Sequence, residues 1–133
     1  MPPVIAPAYA AILAFIYIYL AIRVVGLRRT RRVAIGHGGH SDLERAMRVH
    51  ANFAEYVPLA ILLLTFVEIQ GRPAWLVHVL ALALLAGRSI HVYGVSQPKE
   101  DIRLRIAGMI TTFAVLAAAG LSLLFGAIRS GVG

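Results

Sequence analysis

The chain has 133 residues, of which 59% are hydrophobic and 14% charged, with a mean hydropathy of +0.79. Soluble domains are roughly 45–50% apolar and about a quarter charged, and a domain this small has too little interior to hide so much apolar surface. The composition therefore points to lipid as solvent and excludes a disordered chain, while the absence of cysteine excludes disulfides, thiolate metal sites and a protein thiol nucleophile. The net charge of +7 does not indicate nucleic acid, because the basic residues bracket apolar runs instead of lining one polar face. The length fits a single domain over 1–133.

Met1 to Ile22 carries no charge, and Ile5 onward is an almost unbroken run of Ala, Ile, Leu and aromatics. About 20 apolar residues cross a hydrocarbon core of roughly 30 Å, so a first transmembrane helix is expected over 5–27. With no positive charge before Arg23, this run lacks the basic n-region of a signal peptide, and it is expected to stay in the mature chain. A basic connector follows, with Arg23, Arg28, Arg29, Arg31 and Arg32 and then glycines dense enough to break a helix. Ser41 and Glu44 have the spacing of a capping box, which starts a second helix over 42–69. Its apolar stretch holds only twelve charge-free residues, Tyr56 to Val67, so its first turns carry polar groups at the membrane surface. Gln70-Gly71-Arg72-Pro73 reads as a turn, with Pro73 opening a third helix over 73–93. A loop around Gln97-Pro98 leads to a fourth helix over 101–128, with 23 uncharged residues from Ile106 to Ile128. Short connections between four helices predict an all-α, integral membrane, antiparallel four-helix bundle.

Charge sets the expected orientation. The first connector, Arg23 to Arg48, has seven Lys/Arg and the third, Arg88 to Arg105, has four; the second has only Arg72 and the C-terminus only Arg129. The positive-inside rule puts both basic connectors in the cytoplasm and both termini outside.

Ionisable groups within a membrane segment cost several kcal/mol unless paired or hydrated, so each one is a functional candidate. Arg48, Asn52 and Glu55 fall at about 0°, 40° and −20° around the second helix, a stripe within roughly 60°. At 1.5 Å per residue, Glu55 lies about 10 Å deeper than Arg48. Pairing along the helix, Arg48 with Asn52 and Asn52 with Glu55, is the purely structural reading. Arg88 and His91 share a face near the end of the third helix, and Arg103 and Arg105 open the fourth. The expected topology gathers these groups at one membrane depth. Together they form a pocket suited to a small amine-bearing anion, with arginines for its carboxylates and Glu55 for its ammonium, beside an apolar wall for a lipophilic second molecule.

The segment Asp42-Leu43-Glu44-Arg45-Ala46-Met47-Arg48-Val49-His50-Ala51-Asn52-Phe53-Ala54-Glu55-Tyr56-Val57-Pro58 resembles the signature of the MAPEG family, the membrane-associated proteins of eicosanoid and glutathione metabolism. Gly87-Arg88-x-x-His91-x-Tyr93-Gly94 and Arg105-x-x-Gly108-Met109 resemble the family's third- and fourth-helix motifs, most closely those of short bacterial members. The resemblance implies a homotrimer binding glutathione between neighbouring subunits near the cytoplasmic face. Arg48, Asn52, Glu55 and Tyr56 would hold the tripeptide with Arg88, His91 and, as a partial substitute for family tyrosines, Tyr93. Arg105, or failing that Arg103, would stabilise the thiolate. A free thiol has a pKa near 8.5, which an adjacent cation in a dry site lowers. The bound thiolate would then attack a lipophilic electrophile or lipid hydroperoxide arriving from the bilayer. The chain departs from the pattern at Ala51, where some members carry Arg, and at Val95 or Ala107, where eukaryotic members place tyrosines.

Other polar residues have plainer readings. His37 and His40 lie in a glycine-rich loop without a third strong ligand, so no metal site is expected. His50 faces away from the Arg48 stripe and packs on a neighbouring helix, His78 makes an interhelical hydrogen bond, and Trp75 anchors the outer interface. The Arg28–Arg32 run sets topology and meets anionic lipid. Gly108 and Gly120 are expected at close helix contacts. Two rival functions stand beside the enzyme. One is a non-catalytic lipid- or partner-binding scaffold of the same fold, and the other a small proton-coupled multidrug-type transporter using Glu55. Arg105 separates enzyme from scaffold, since only a transferase needs a thiolate-stabilising cation.

Overall fold

Apolar runs of this length leave helix as the only solution for a backbone without water to bond. The computed structural model describes residues 1–131 and is all α: α1 (Ile5–Arg31), α2 (Ser41–Ile69), α3 (Ala74–Ser96) and α4 (Ile102–Arg129). All four are long and apolar enough to cross a membrane. At 1.5 Å per residue they measure about 35–44 Å, so their ends extend past a hydrocarbon core of roughly 30 Å.

The helix ends depart from the sequence expectations at three places. First, α1 continues four residues beyond position 27, because its arginines are good helix formers and their charge suits a helix C-terminus. It closes at Arg32, whose φ of 55° is left-handed, while Val33 N–H reaches back to the Arg28 carbonyl at 3.0 Å. Arg28 caps the turn further by donating to the Gly36 carbonyl at 2.8 Å. Second, the Ser41–Glu44 capping box does not form. His40 is the N-cap, with no side-chain cap bond, so Ser41 is already helical and Glu44 sits one place too far along to reach back. Asp42 in that first turn instead bonds Arg31 at 2.8 Å, tying the end of α1 to the start of α2. Third, α3 runs three residues past Tyr93. Gly94 does not stop it, because it is packed face to face with α4.

That α3–α4 contact depends on missing side chains. A Cβ added at Gly108 would lie 2.6 Å from His91 Cβ and 2.7 Å from the Gly87 carbonyl oxygen, and one at Gly94 would lie 2.6 Å from Leu104 Cβ. Gly120, expected at a close contact, meets nothing within 4 Å; its face of α4 points outward.

The helix α1 lies against α2 and α3 and buries only Ala6, Leu13 and Leu20, one residue every two turns. Its first turn is held from another helix. Glu68, near the end of α2, accepts from the backbone N–H groups of Val4 and Ile5 (2.7 and 2.8 Å) through one oxygen and Ala6 (2.8 Å) through the other. The carboxylate therefore satisfies three of the N–H groups that a helix start leaves unpaired, and meets the positive end of its dipole. The outward faces carry large apolar side chains, among them Phe15, Ile110, Leu121, Leu124 and Phe125, all at least half exposed. A soluble protein buries such residues; here lipid covers them.

Candidate functional site

One turn apart on α2, Arg45, Arg48 and Asn52 line the side of the helix that meets α3 and α4 at the basic end of the bundle. Because α2 runs antiparallel to α3, its first turns sit beside the last turns of α3 and the first of α4. The polar groups there divide into a buried cluster and an open cleft.

The cluster centres on Arg88 of α3, whose side chain is fully buried. Its Nη2 donates to Asn52 Oδ1 at 2.6 Å and lies 3.3 Å from His91 Nδ1. Its Nη1 faces Thr112 Oγ1 at 3.4 Å and Met109 Sδ at 3.6 Å, and its guanidinium carbon stands 5.8 Å from the centre of the Phe53 ring. Thr112 spends its own hydrogen on the Gly108 carbonyl, which leaves its oxygen to accept from Arg88. Arg88 Nε has no partner, and no carboxylate lies within ion-pair distance of this guanidinium among the described residues. A guanidinium can only donate, so the contact fixes the Asn52 amide with its oxygen inward. Its nitrogen then faces away from the guanidinium.

The cleft, of about 210 Å³, opens beside this cluster and is lined by Ser41, Glu44, Arg45, Arg48, Val95, Glu100 and Arg105. Arg105 Nη1 bonds Glu100 Oε1 at 2.9 Å. Arg45 Nη1 bonds the Val95 carbonyl at 3.1 Å and lies 3.5 Å from the other Glu100 oxygen. Arg48 is exposed on the same wall. Three guanidinium groups thus converge from α2 and α4 on a space that could take a small polyanion.

Of the residues singled out in sequence, Arg48 and Arg105 share the cleft, while Asn52, Arg88 and His91 join in the buried cluster behind it. The structural alternative for Asn52, pairing along α2 with Arg48 and Glu55, is not what the structure shows, since its oxygen goes across to Arg88. Tyr56 is half-buried and packs edge-on against Phe113 of α4, with ring centres 5.5 Å apart. Glu55 is exposed on α2, and Arg103 is exposed on α4, where its backbone N–H donates to the capping Asp101 carboxylate at 3.0 Å. Tyr93 stands apart from all of these. It is 63% exposed on another face, where it lines a cleft between α1 and α3 with Tyr19 and Arg23.

Sequence reasoning passed over Glu100 and Thr112. Glu100 is one acid in a stretch already read as a loop, and nothing local marks it as a counter-ion of Arg45, 55 positions earlier in the chain, as well as of Arg105. Thr112 reads as an ordinary lipid-span residue until α3 is laid against it. The histidines behave as expected from their faces: His50 stacks on Tyr17 of α1 at 4.9 Å, and His78 meets the Tyr9 hydroxyl at 3.3 Å. No group of three His, Cys, Asp or Glu stands close enough to hold a metal ion among the described residues. An apolar groove of about 300 Å³ runs between α1 and α2, bounded by Leu13, Tyr17, Phe53, Val57 and Pro58.

The fold and the buried arginine together define a multi-pass, four-helix membrane protein with a basic cleft at one end of its bundle. Comparison with known proteins places it further. The MAPEG family profile matches residues 6–125, nearly the whole chain, and the chain belongs to that family. It is also 42% identical over 108 residues to the inner membrane protein YecN of Escherichia coli K12, covering 81% of each chain. The same figures hold for YecN of Escherichia coli O6:H1.

Proposed function

We propose that this protein is a glutathione-dependent membrane transferase or peroxidase acting on lipophilic electrophiles or lipid hydroperoxides. The observation that carries the reading is the convergence of Arg48 and Arg105 on one cleft, with the Asn52 amide held behind it by Arg88. Arg48 and Arg45 suit the carboxylates of the tripeptide, and the free Asn52 N–H groups suit a peptide carbonyl. Arg105 is the cation that would favour the thiolate, since an opposite charge nearby favours the ionised form. The thiol loses its proton, and its sulfur forms a bond to the electrophilic carbon as the leaving group departs. With a hydroperoxide, two thiols are oxidised to a disulfide while the hydroperoxide is reduced to an alcohol and water. The apolar α1–α2 groove supports a lipophilic second substrate entering from lipid.

Glu55, Tyr56 and His91 do not line the cleft within one protomer, and Glu55 is left exposed. A neighbouring copy bringing its own wall to that face would complete the site, which supports assembly as a homotrimer with glutathione between subunits. The similarity to YecN supports the inner membrane of a bacterium as location, and the bias of Lys and Arg toward the first and third connectors supports those connectors as cytoplasmic and both termini as outside.

The test is a glutathione titration of the detergent-solubilised protein, followed by thiolate ultraviolet absorbance. A thiolate signal at neutral pH that disappears in Arg105→Ala, but survives in Arg103→Ala, is the expected result. Arg48→Ala and Glu55→Gln should weaken binding; if neither does, the site assignment is wrong. Binding without a thiolate signal in any variant favours the non-catalytic scaffold, a reading the Arg105–Glu100 ion pair lends some weight.

A further inference from the structure

The basic cleft is not an open set of cations. Glu100, from the loop before α4, stands inside it with one oxygen 2.9 Å from Arg105 and the other 3.5 Å from Arg45. Its side chain is 21% exposed, against 52% for Arg105, so the carboxylate sits deeper in the cleft than the guanidinium it holds. Arg45 is further engaged by the Val95 carbonyl. Arg48, exposed on the same wall, has no ion-pair partner among the described residues. The position where an anionic ligand would neutralise Arg105 and Arg45 is therefore taken by the protein's own acid.

We propose that Glu100 is a resident competitor: it occupies the anion position of the cleft, and an anionic ligand must displace it to reach Arg105. The proposal rests on the glutathione reading for the identity of that ligand, but not for the existence of an anion site. It has a consequence for specificity. A monoanion offers Arg105 no more than Glu100 already does, and the intramolecular acid has the advantage of proximity. A ligand with a second anionic group can use Arg48, which Glu100 leaves free, and so gains what the resident acid cannot match. The site thereby selects ligands with two or more anionic groups over simple carboxylates, and Arg105 stays neutralised until such a ligand arrives. This also keeps an exposed activating cation from holding stray anions.

A purely structural Glu100, clipping α2 to α4, makes the opposite prediction: its loss would loosen the cleft and weaken binding. Calorimetric titration of the detergent-solubilised protein with inorganic sulfate and, separately, with glutathione separates the two. Replacing Glu100 by Gln keeps the shape and removes the charge. Exposed to half-exposed ion pairs contribute about 0.2–1 kcal/mol each, so freeing both arginines should tighten sulfate and glutathione roughly two- to thirty-fold, and Arg105→Ala in the Glu100→Gln background should remove most of the gain. Tighter sulfate with no glutathione binding in either protein would uphold the competitor and refute the glutathione reading. Glutathione binding that is unchanged or weaker in Glu100→Gln would overturn the competitor while leaving the glutathione reading intact. If neither probe binds either protein, both proposals fall.

Discussion

Glu68 holds the least-packed helix of the bundle, and its removal offers the sharpest test of how α1 is retained. Three backbone N–H groups, those of Val4, Ile5 and Ala6, depend on its two oxygens at 2.7–2.8 Å. Val4 is exposed and can exchange its bond for water, whereas Ala6 is fully buried and cannot. Losing a helix cap costs about 0.5–2 kcal/mol, and leaving a buried donor unpaired costs about 1–3 kcal/mol. Glu68→Ala should therefore destabilise the protein by about 2–4 kcal/mol, or roughly 30- to 1,000-fold in the folding equilibrium. Glu68→Gln should not be a mild change. One oxygen could still serve Val4 and Ile5, but the new amide nitrogen would face the Ala6 N–H, donor against donor. Reversible unfolding in mixed detergent micelles gives the free energy, and amide hydrogen exchange at Ile5 and Ala6 locates the loss. Few apolar residues of α1 are buried to compensate, so the first turn should exchange far faster than α2. If Glu68→Ala lies within about 0.5 kcal/mol of the parent with unchanged exchange, the cap contributes nothing and packing alone holds α1.

Arg88→Lys should destabilise by about 2–3 kcal/mol despite keeping the charge, because a single ammonium cannot span Asn52, Thr112 and His91 as the forked guanidinium does. Thermal unfolding in detergent checks it, and a loss below about 0.5 kcal/mol would show that the buried network is dispensable. Gly108→Ala should cost about 1–3 kcal/mol, since the added Cβ would sit 2.6 Å from His91 Cβ and force α3 and α4 apart. Gly120→Ala, on an open face, should be neutral or stabilising by up to about 1 kcal/mol. Measuring the two variants side by side by the same unfolding assay tests the packing argument, which fails if their order is reversed.

What the sequence determined by itself follows from solvent and period. Apolar runs long enough to span lipid forced four helices, and the short polar breaks between them forced antiparallel neighbours. The 3.6-residue repeat put Arg48, Asn52 and Glu55 on one stripe and turned His50 to the opposite side, where it stacks on Tyr17. Helix ends were less legible at both ends of the first connector. Arginine favours the helix as much as it marks a surface, so the basic composition of residues 28–31 said nothing about where α1 stops. The spacing of Ser41 and Glu44 could not reveal that His40 would take the cap.

Only the tertiary structure decided which polar groups meet. Asn52 has acceptors and donors that its own helix could satisfy, and it bonds Arg88 because α3 brings a group that only donates within 2.6 Å. The approach of α3 to α4, which sets Arg88 against Thr112, depends on Gly87, Gly94 and Gly108, whose significance is a matter of what lies opposite, not of their neighbours in sequence. In the same way Glu100 is one acid among basic residues until the ends of α2 and α4 close around it. A periodic pattern records which way a side chain points along its own helix. Which partner it finds, and whether a charge is left open to a ligand or already neutralised, is set by contacts between helices distant in the chain.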